Sequence, residues 1–381
     1  MKIVGYELFP VTPRWLFLRL DTDAGVSGWG EPIVEGRAAT TARAVDEAME
    51  YLVGQDATRI EDHWQVLSKG GFYRGGPVIN SAVSGIDQAL WDIAGRALGV
   101  PVHQLLGGAV RDRARVYGWV HGSEPAELAD AARAQVEKGL TAVKMTPSEL
   151  LAPLDTPAAM QRVIDRVAAV REAVGPQVDV AIDCHGRFST AMSRRLLPLL
   201  EPLRPLFVEE PVLPEHTPDL GAVVQATTIP VATGERLYSR WDFRPAFEAG
   251  IAVAQPDVSH AGGISETRRI AAMAETHDVL LAPHCPLGPI ALAACLQVDF
   301  AAPNFLIQEQ SLGIGYGDSS GLLGYLVDAT PFTFVEGSIE RPSGPGLGIE
   351  VDEAEVRRAA ERGHDWRTPL WRHADGSLAS W

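Results

Sequence analysis

Val178-Asp-Val-Ala-Ile182 runs into Asp183-Cys184-His185, and the same kind of ending recurs along the chain that follows. Pro205-Leu-Phe-Val208 ends at Glu209, Ile229-Pro-Val-Ala-Thr-Gly234 at Glu235, and Ile251-Ala-Val-Ala-Gln-Pro256 at Asp257. Val279-Leu-Leu-Ala-Pro283 ends at His284, and Phe305-Leu-Ile-Gln308 at Glu309. Each is a short apolar run stopped by an acid or a histidine. The stops lie 26, 26, 22, 27 and 25 residues apart. That is one strand plus one crossover helix each time, the period of parallel β/α units. A barrel of such units gathers its strand C-termini on one face, where catalysis sits.

Upstream of this series the same grammar holds for two more runs. Thr141-Ala-Val-Lys-Met145 reads as a strand, and Tyr117-Gly-Trp-Val120 as the first strand of the barrel. A helix from about Glu127 to Lys138 connects them, and an extra loop, Pro147 to Pro157, lengthens the step to Asp183. Further upstream the pattern changes. Residues 4–31 read as an antiparallel meander, with Trp15-Leu-Phe-Leu-Arg-Leu20 as a strand and Asp21-Thr-Asp-Ala-Gly25 as its turn. Helical periodicity follows from a cap at Thr40 or Thr41 to about Leu52, and again over Ile60–Leu67. After the glycine-rich Gly70–Pro77, Ser81 is the expected cap of a long helix that Gly99 and Pro101 end near Leu98. Strands then helices, followed by β/α repeats, imply an α+β domain ahead of a barrel. The expected division is 1–115, 116–330 and a Pro- and Gly-rich tail, 331–381, that packs back on the rest.

A chain of 381 residues is long enough for two domains or one barrel with additions. Hydrophobic content of 46% and charged content of 22% are ordinary for a globular enzyme. The balance of 33 basic against 49 acidic residues, net −16, argues against a nucleic-acid surface. It leaves room for an anionic substrate, because a bound metal inverts the local field. No window approaches ~18 uninterrupted apolar residues, so no membrane span is expected. The N-terminus reads as a strand rather than a signal peptide, so a cytoplasmic location is expected. The three cysteines, Cys184, Cys285 and Cys295, give neither a disulfide framework nor a zinc spacing.

Asp183, Glu209 and Glu235 end successive strands and can converge. Three carboxylates without a thiolate form a hard-oxygen set suited to Mg²⁺ or Mn²⁺, whereas an unmetallated buried cluster of like charges would be expensive. Asp257 beside His284 makes a histidine general base, its tautomer fixed by the carboxylate; a structural hydrogen bond is the plainer alternative. Strand alternation puts His185 on the face of Asp183, with Cys184 pointing away, so His185 is a candidate general acid. Glu309 either binds a substrate carboxylate oxygen or forms a structural ion pair. Lys144 and Thr146 share a face near the site, and Lys144 either touches substrate or makes a salt bridge. Arg14, Trp15, Phe72, Tyr73 and Arg74 are candidates for substrate contact from a lid, or for packing between domains.

These residues carry a resemblance. Gly71-Phe-Tyr-Arg-Gly-Gly-Pro77, Pro205-Leu-Phe-Val-Glu-Glu-Pro211, Ser259-His-Ala-Gly-Gly263 and Leu281-Ala-Pro-His-Cys-Pro-Leu-Gly-Pro289 stand in a chain that resembles the enolase superfamily, mandelate-racemase-like subgroup, over nearly its whole length. The resemblance implies a (β/α)₇β modified TIM barrel. A capping domain would be formed by the N-terminal block and the C-terminal tail. It implies Mg²⁺ on Asp183, Glu209 and Glu235, the Asp257–His284 base, the His185 acid and Glu309 as enolate stabiliser. It also implies a homo-oligomer that dehydrates a small acid sugar, galactonate first, then gluconate, arabinonate or fuconate. A racemase is the rival within the superfamily. It needs a second base, which Thr146 cannot be, although Lys144 or His185 could stand in. A metal-binding scaffold without turnover would lack a ligand or the base, and neither is missing. The chain departs from the pattern at Thr146, where Asn is usual, in Val120–Pro125, at Cys184 and at Gly315. These departures bear on the substrate rather than the chemistry.

Overall fold

The computed structural model describes residues 1–148, 150–311 and 323–380, so Gly315 lies outside the described residues. The chain opens with a three-stranded antiparallel sheet, β1 (Ile3–Val11), β2 (Trp15–Thr22) and β3 (Ser27–Gly30), in that spatial order. Four helices follow: α1 (Ala38–Leu52), α2 (Ile60–Lys69), α3 (Pro77–Leu98) and the single turn α4 (Val102–Leu105). Val45, Met49 and Leu52 of α1 and Ile86, Leu90 and Ile93 of α3 share one apolar cluster with Leu18 and Leu20 of β2. Burial of such side chains is worth roughly 1.5–3 kcal/mol each. α3 crosses β3 so closely that a Cβ on Gly30 would stand 1.9 Å from the Gly85 carbonyl oxygen; only glycine permits that approach.

Two expected helix starts differ. α1 begins at Ala38, and the Thr41 hydroxyl donates back to the Arg37 carbonyl at 3.2 Å, so neither threonine caps it. α3 begins at Pro77, whose missing N–H costs nothing in a first turn. Ser81 therefore lies inside the helix, its hydroxyl 2.9 Å from His260 Nδ1. The other end is as expected: Gly99, at φ 69°, terminates α3 in the left-handed conformation.

β4 (Arg113–Arg115) leads into seven parallel strands, each beside its neighbour in sequence. They are β5 (Gly118–Val120), β6 (Ala142–Met145), β7 (Asp179–Asp183), β8 (Val208–Glu209), β9 (Val231–Thr233), β10 (Val253–Ala254) and β11 (Leu280–Leu281). The connections carry α5 (Pro125–Glu137), α6 (Pro157–Val174), α7 (Thr190–Leu200), α8 (Leu220–Val224), α9 (Arg240–Glu248) and α10 (Gly263–Glu275), and α11 (Pro289–Ala301) follows β11. The ring closes through the extended segment after α11. Phe305 bridges to Leu281 and Gln308 to Val116, both in parallel sense. Seven β/α units and an eighth strand position make a (β/α)₇β barrel.

The barrel interior is packed by one residue from each strand position. Tyr117, Phe207, Val253 and Ile307 pack with Ala142, Ala181, Ala232 and Ala282 in one cluster, so the interior is a core rather than a pore. After the barrel, β12 (Phe334–Val335) and β13 (Ser338–Glu340) join β4 in a small antiparallel sheet, and α12 (Glu353–Arg362) lies on β1. There Arg357 pairs with Glu7 at 2.6 Å and covers the Phe9 ring.

The seam between α3 and the barrel is polar and fully bonded at the points that matter. Ser84 Oγ accepts from the Gly262 N–H at 2.8 Å, and Gln88 donates to Ser259 Oγ at 3.0 Å. Asp87 accepts from the Ser265 N–H and hydroxyl at 2.9 and 2.6 Å, at the start of α10. Glu31 does the same for α11, accepting from Gly288 and Ala291 N–H groups at 2.7 and 3.0 Å. Acidic side chains placed at helix N-termini satisfy orphan backbone donors there. Among the described residues, no helix is long and apolar enough to cross a membrane.

Candidate active site

The strand C-termini open into a cavity of about 470 Å³ whose walls include His185, Glu235, His284 and Glu309. β7 and β8 place Asp183 directly beside Glu209 in register, and Glu235 follows two residues after β9. One carboxylate oxygen from each of the three lies within 4.8 Å of the others. Asp183 Oδ2, Glu209 Oε1 and Glu235 Oε2 are buried without a hydrogen-bond partner. Burial and the Asp183 charge push Glu209 up to about 8. Burial and the Glu210 charge hold Glu235 well above the usual carboxylate range. Three converging carboxylates with unsatisfied oxygens, two of them raised in proton affinity, have the makings of a cation site. The all-oxygen donor set fits Mg²⁺.

Lys144 of β6 forms the floor under this triad. Its ammonium is 2.7 Å from Glu209, 3.1 Å from Glu309 and 3.3 Å from Asp183, with no exposure to solvent. Burial opposes its charge, but Glu209 and Glu309 outweigh burial and raise its proton affinity well above the usual lysine range. Burial likewise opposes the charge on Asp183, and its interactions with His185 and Lys144 overcome it, holding that carboxyl below its ordinary value. The salt bridge, one of the two readings open for Lys144, is present.

The two histidines flank the triad from opposite ends. His284 Nδ1 donates to Asp257 Oδ2 at 2.8 Å, which leaves Nε2 facing the cavity, 3.5 Å from Glu235 and 3.8 Å from Glu309. Asp257 is fixed in turn by the Ser259 N–H at 2.6 Å. Burial works against a charged His284, but Glu235, Glu309 and Asp257 override it and raise its proton affinity well above the usual value. His185 Nε2 lies 3.3 Å from Asp183 Oδ2. Burial dominates there and lowers His185 to about 4, against the pull of Asp183, so the ring is neutral at pH 7. Alternation along a strand is not what brings His185 to Asp183. β7 stops at Asp183, and His185 takes a left-handed backbone, φ 48°, that folds it back over the ligand. Glu210, just after Glu209, also has a left-handed φ, 38°.

Glu309 is fully buried and saturated. It accepts from Trp119 Nε1 at 2.8 Å and from the Cys285 N–H at 2.9 Å, besides the Lys144 contact. Burial raises its pKa and the Lys144 and His284 charges lower it; the charges win and hold it below the usual range.

The substrate-contact candidates separate. Arg14 and Thr146 line the cavity. Trp15 does not: it is fully buried and stacks on Phe17, because an indole in the middle of a sheet–helix core is worth more packed than exposed. Tyr73 is 91% exposed outside the cavity, as is Phe72 at 92%. Arg74 lines a neighbouring cavity with Trp64, Lys69 and Trp241. Phe72 and Tyr73 meet edge to face at the glycine-rich turn, outside the cavity. Cys184 points away from the site, and burial pushes its thiol well up, so it is inert.

Other site residues escape a reading based on acids at strand ends. Trp119 lies opposite Lys144 in the β5–β6 register and holds Glu309, with its ring under the Lys144 ammonium and against His185. Registering Tyr117–Val120 against Ala142–Met145 would have found it. His260, three residues after Asp257, sits 3.7 Å from that carboxylate and 3.6 Å from Glu35. Arg236 forks onto Glu210 beside Glu235, with its closer contacts at 2.5 and 3.0 Å. Trp366, from the C-terminal segment, faces the same cavity.

Two known families match successive stretches of the chain. Residues 11–107 match the mandelate racemase/muconate lactonizing enzyme N-terminal domain, and residues 127–355 match the enolase C-terminal domain-like family. The chain is 52% identical to a D-galactonate dehydratase of Variovorax paradoxus and 51% identical to one of Ralstonia nicotianae, each over 100% of both chains. Its fold is similar to the crystal structure of an enolase from Agrobacterium radiobacter bound to Na and L-malate, with a TM-score of 0.91, 34% identity and 100% coverage of both chains.

Proposed function

The chain belongs to the mandelate racemase/muconate lactonizing enzyme family of the enolase superfamily, and from that premise we propose that it is a Mg²⁺-dependent hydro-lyase that converts D-galactonate to its 2-keto-3-deoxy acid. One observation supports this reading above the rest. His185 and His284 stand at opposite ends of a carboxylate triad, each within 3.5 Å of one of its members, in a single cavity. Dehydration next to a carboxylate needs that arrangement: a base for the C2 proton and a separate acid for the C3 hydroxyl.

Asp183, Glu209 and Glu235 are the proposed metal ligands. Bound there, Mg²⁺ supplies positive charge for the substrate carboxylate and offsets the Glu235 charge that otherwise keeps His284 protonated. His284 Nε2 takes the C2 proton while Asp257 holds the ring in the required tautomer. Lys144 and the charged Glu309 form a fixed, dry floor beneath the developing enediolate, which costs no reorganisation during reaction. His185 takes up a proton as the anionic substrate binds beside it and passes that proton to the departing C3 hydroxyl, which leaves as water. The enol then ketonises, with a proton added at C3. Over one turnover His284 gains a proton and His185 loses one, so both exchange with solvent before the next.

The test is proton NMR of D-galactonate with the protein and Mg²⁺ in D₂O. Dehydration yields a C3 methylene carrying one deuteron. An epimerase would keep every hydroxyl and change only the C2 configuration, and that outcome would overturn the reading. Related acids such as gluconate, arabinonate and fuconate, run alongside, rank the stereochemistry.

A further inference from the structure

The chain beyond α12 returns to the active site. His364 Nε2 meets the Trp15 carbonyl at 3.2 Å. The Trp366 ring lies under the Arg14 guanidinium, 4.9 Å from its centroid, and Arg14 is held from its other side by Glu35 at 3.3 Å. The Thr368 hydroxyl donates to the Glu35 carbonyl at 3.4 Å. Contact is close enough to dictate sequence. Gly36 has φ 75°, and a Cβ there would stand 2.3 Å from Thr368 Oγ1. Further on, the Trp371 ring meets the Arg187 guanidinium at 5.5 Å, two residues from His185. Residues 364–371 thus form a strap from the β1–β2 turn to the loop after β7.

Trp366, Thr368 and Pro369 line the same cavity as His185, Glu235 and His284. The barrel floor accounts for the reacting end of an acid sugar: its carboxylate, C2 and C3. The remaining carbons carry hydroxyls on one edge and C–H groups on the other, and they must point away from that floor. The wall they meet has an indole and a proline from the strap. The three strap residues that line the cavity, Trp366, Thr368 and Pro369, bring no carboxylate to it. An indole face suits the C–H edge of a polyol, and the neighbouring Arg14 and Thr368 fix that face rather than leaving it to swing.

We propose that Trp366, positioned by Arg14 and the Thr368–Gly36 contact, is a specificity determinant that packs on the distal carbons of the acyclic acid. The proposal rests on the acid-sugar reading above and adds a residue to it. Contacts far from the reacting atoms are made equally in ground and transition states, so their loss appears in KM and little in kcat. A short acid that ends at C3 does not reach the strap and should not register its loss.

The experiment uses the full-length, Mg²⁺-loaded protein and two variants, Trp366→Ala and Trp366→Phe. KM and kcat are measured on D-galactonate, and glycerate, which keeps only the reacting end, is measured as a competitive inhibitor. Trp366→Ala should raise KM about tenfold with kcat changed by less than about threefold, and Trp366→Phe should recover most of the loss. The inhibition constant of glycerate should stay the same in all three proteins. An unmoved KM, or a KM and a glycerate constant that rise together, would overturn the proposal; the second result would mark a general deformation of the site. A wild-type protein that dehydrates no aldonate fails the functional reading itself, and with it this proposal, before any variant is compared.

Discussion

Lys144 is enclosed by three carboxylates and two aromatic rings, with its ammonium 4.6 Å from the Trp119 centroid and 5.1 Å from that of Tyr117. A buried cation with that many partners cannot be removed cheaply, because Asp183, Glu209 and Glu309 would be left without their counter-charge. Breaking a buried pair costs about 3–5 kcal/mol, and Lys144→Met should lose stability on that scale in a urea titration of the metal-free protein. Saturating Mg²⁺ should recover part of it, since a cation on Asp183 and Glu209 replaces some of the missing charge. A loss of the same size with and without Mg²⁺ would show that Lys144 and the triad are not coupled. The sequence could not choose between substrate contact and salt bridge here. That choice depends on how deep Lys144 sits, and depth is set by the strand register against Trp119. Trp15 follows the same logic: its neighbour Arg14 reaches the cavity, while the indole takes the packing alternative and turns into the core.

At the scale of elements, the joint between α3 and α10 carries a titratable group. Burial pushes Asp87 up to about 7, against the lowering effect of its Ser265 hydrogen bonds. Its unfolded value is about 4, so the folded state holds a proton that the unfolded state has released. The stability it contributes is full below about pH 4 and falls as pH rises through about 7. Asp87→Asn removes that titration. Comparing urea midpoints from pH 5.5 to 8, the wild type should lose ground against Asp87→Asn as pH rises. A difference that stays constant with pH would mean the carboxyl is ionised throughout. This joint was invisible in the sequence, where Asp87 is one polar residue in an apolar helix stripe. The strand-end series was visible because each run is apolar up to an abrupt acid or histidine, even where only two residues pair, as in β8, β10 and β11. Helix starts were less legible. A proline at the first position or an uncapped alanine can open a helix, so the nearest threonine or serine is no guide.

For the whole molecule, the barrel sets the direction of the chemistry. His185 follows β7 and His284 follows β11, with three strands between them in the sheet, so the two imidazoles approach a bound substrate from different sides. Spacing alone carried the fold to this point, and the acids that stop each run carried the metal site. What spacing could not carry is the return of the chain from 364 to 371 across the cavity, because contacts between distant segments leave no period in the sequence. The division of labour between the histidines is the central claim, and exchange at C2 separates it from loss of water at C3. In D₂O with Mg²⁺ and D-galactonate, His284→Asn should lose both dehydration and C2 exchange by about 10²–10⁴-fold. His185→Asn should lose dehydration by a similar factor while C2 exchange persists. Equal loss of exchange in both variants, or full activity in His284→Asn, would contradict the account.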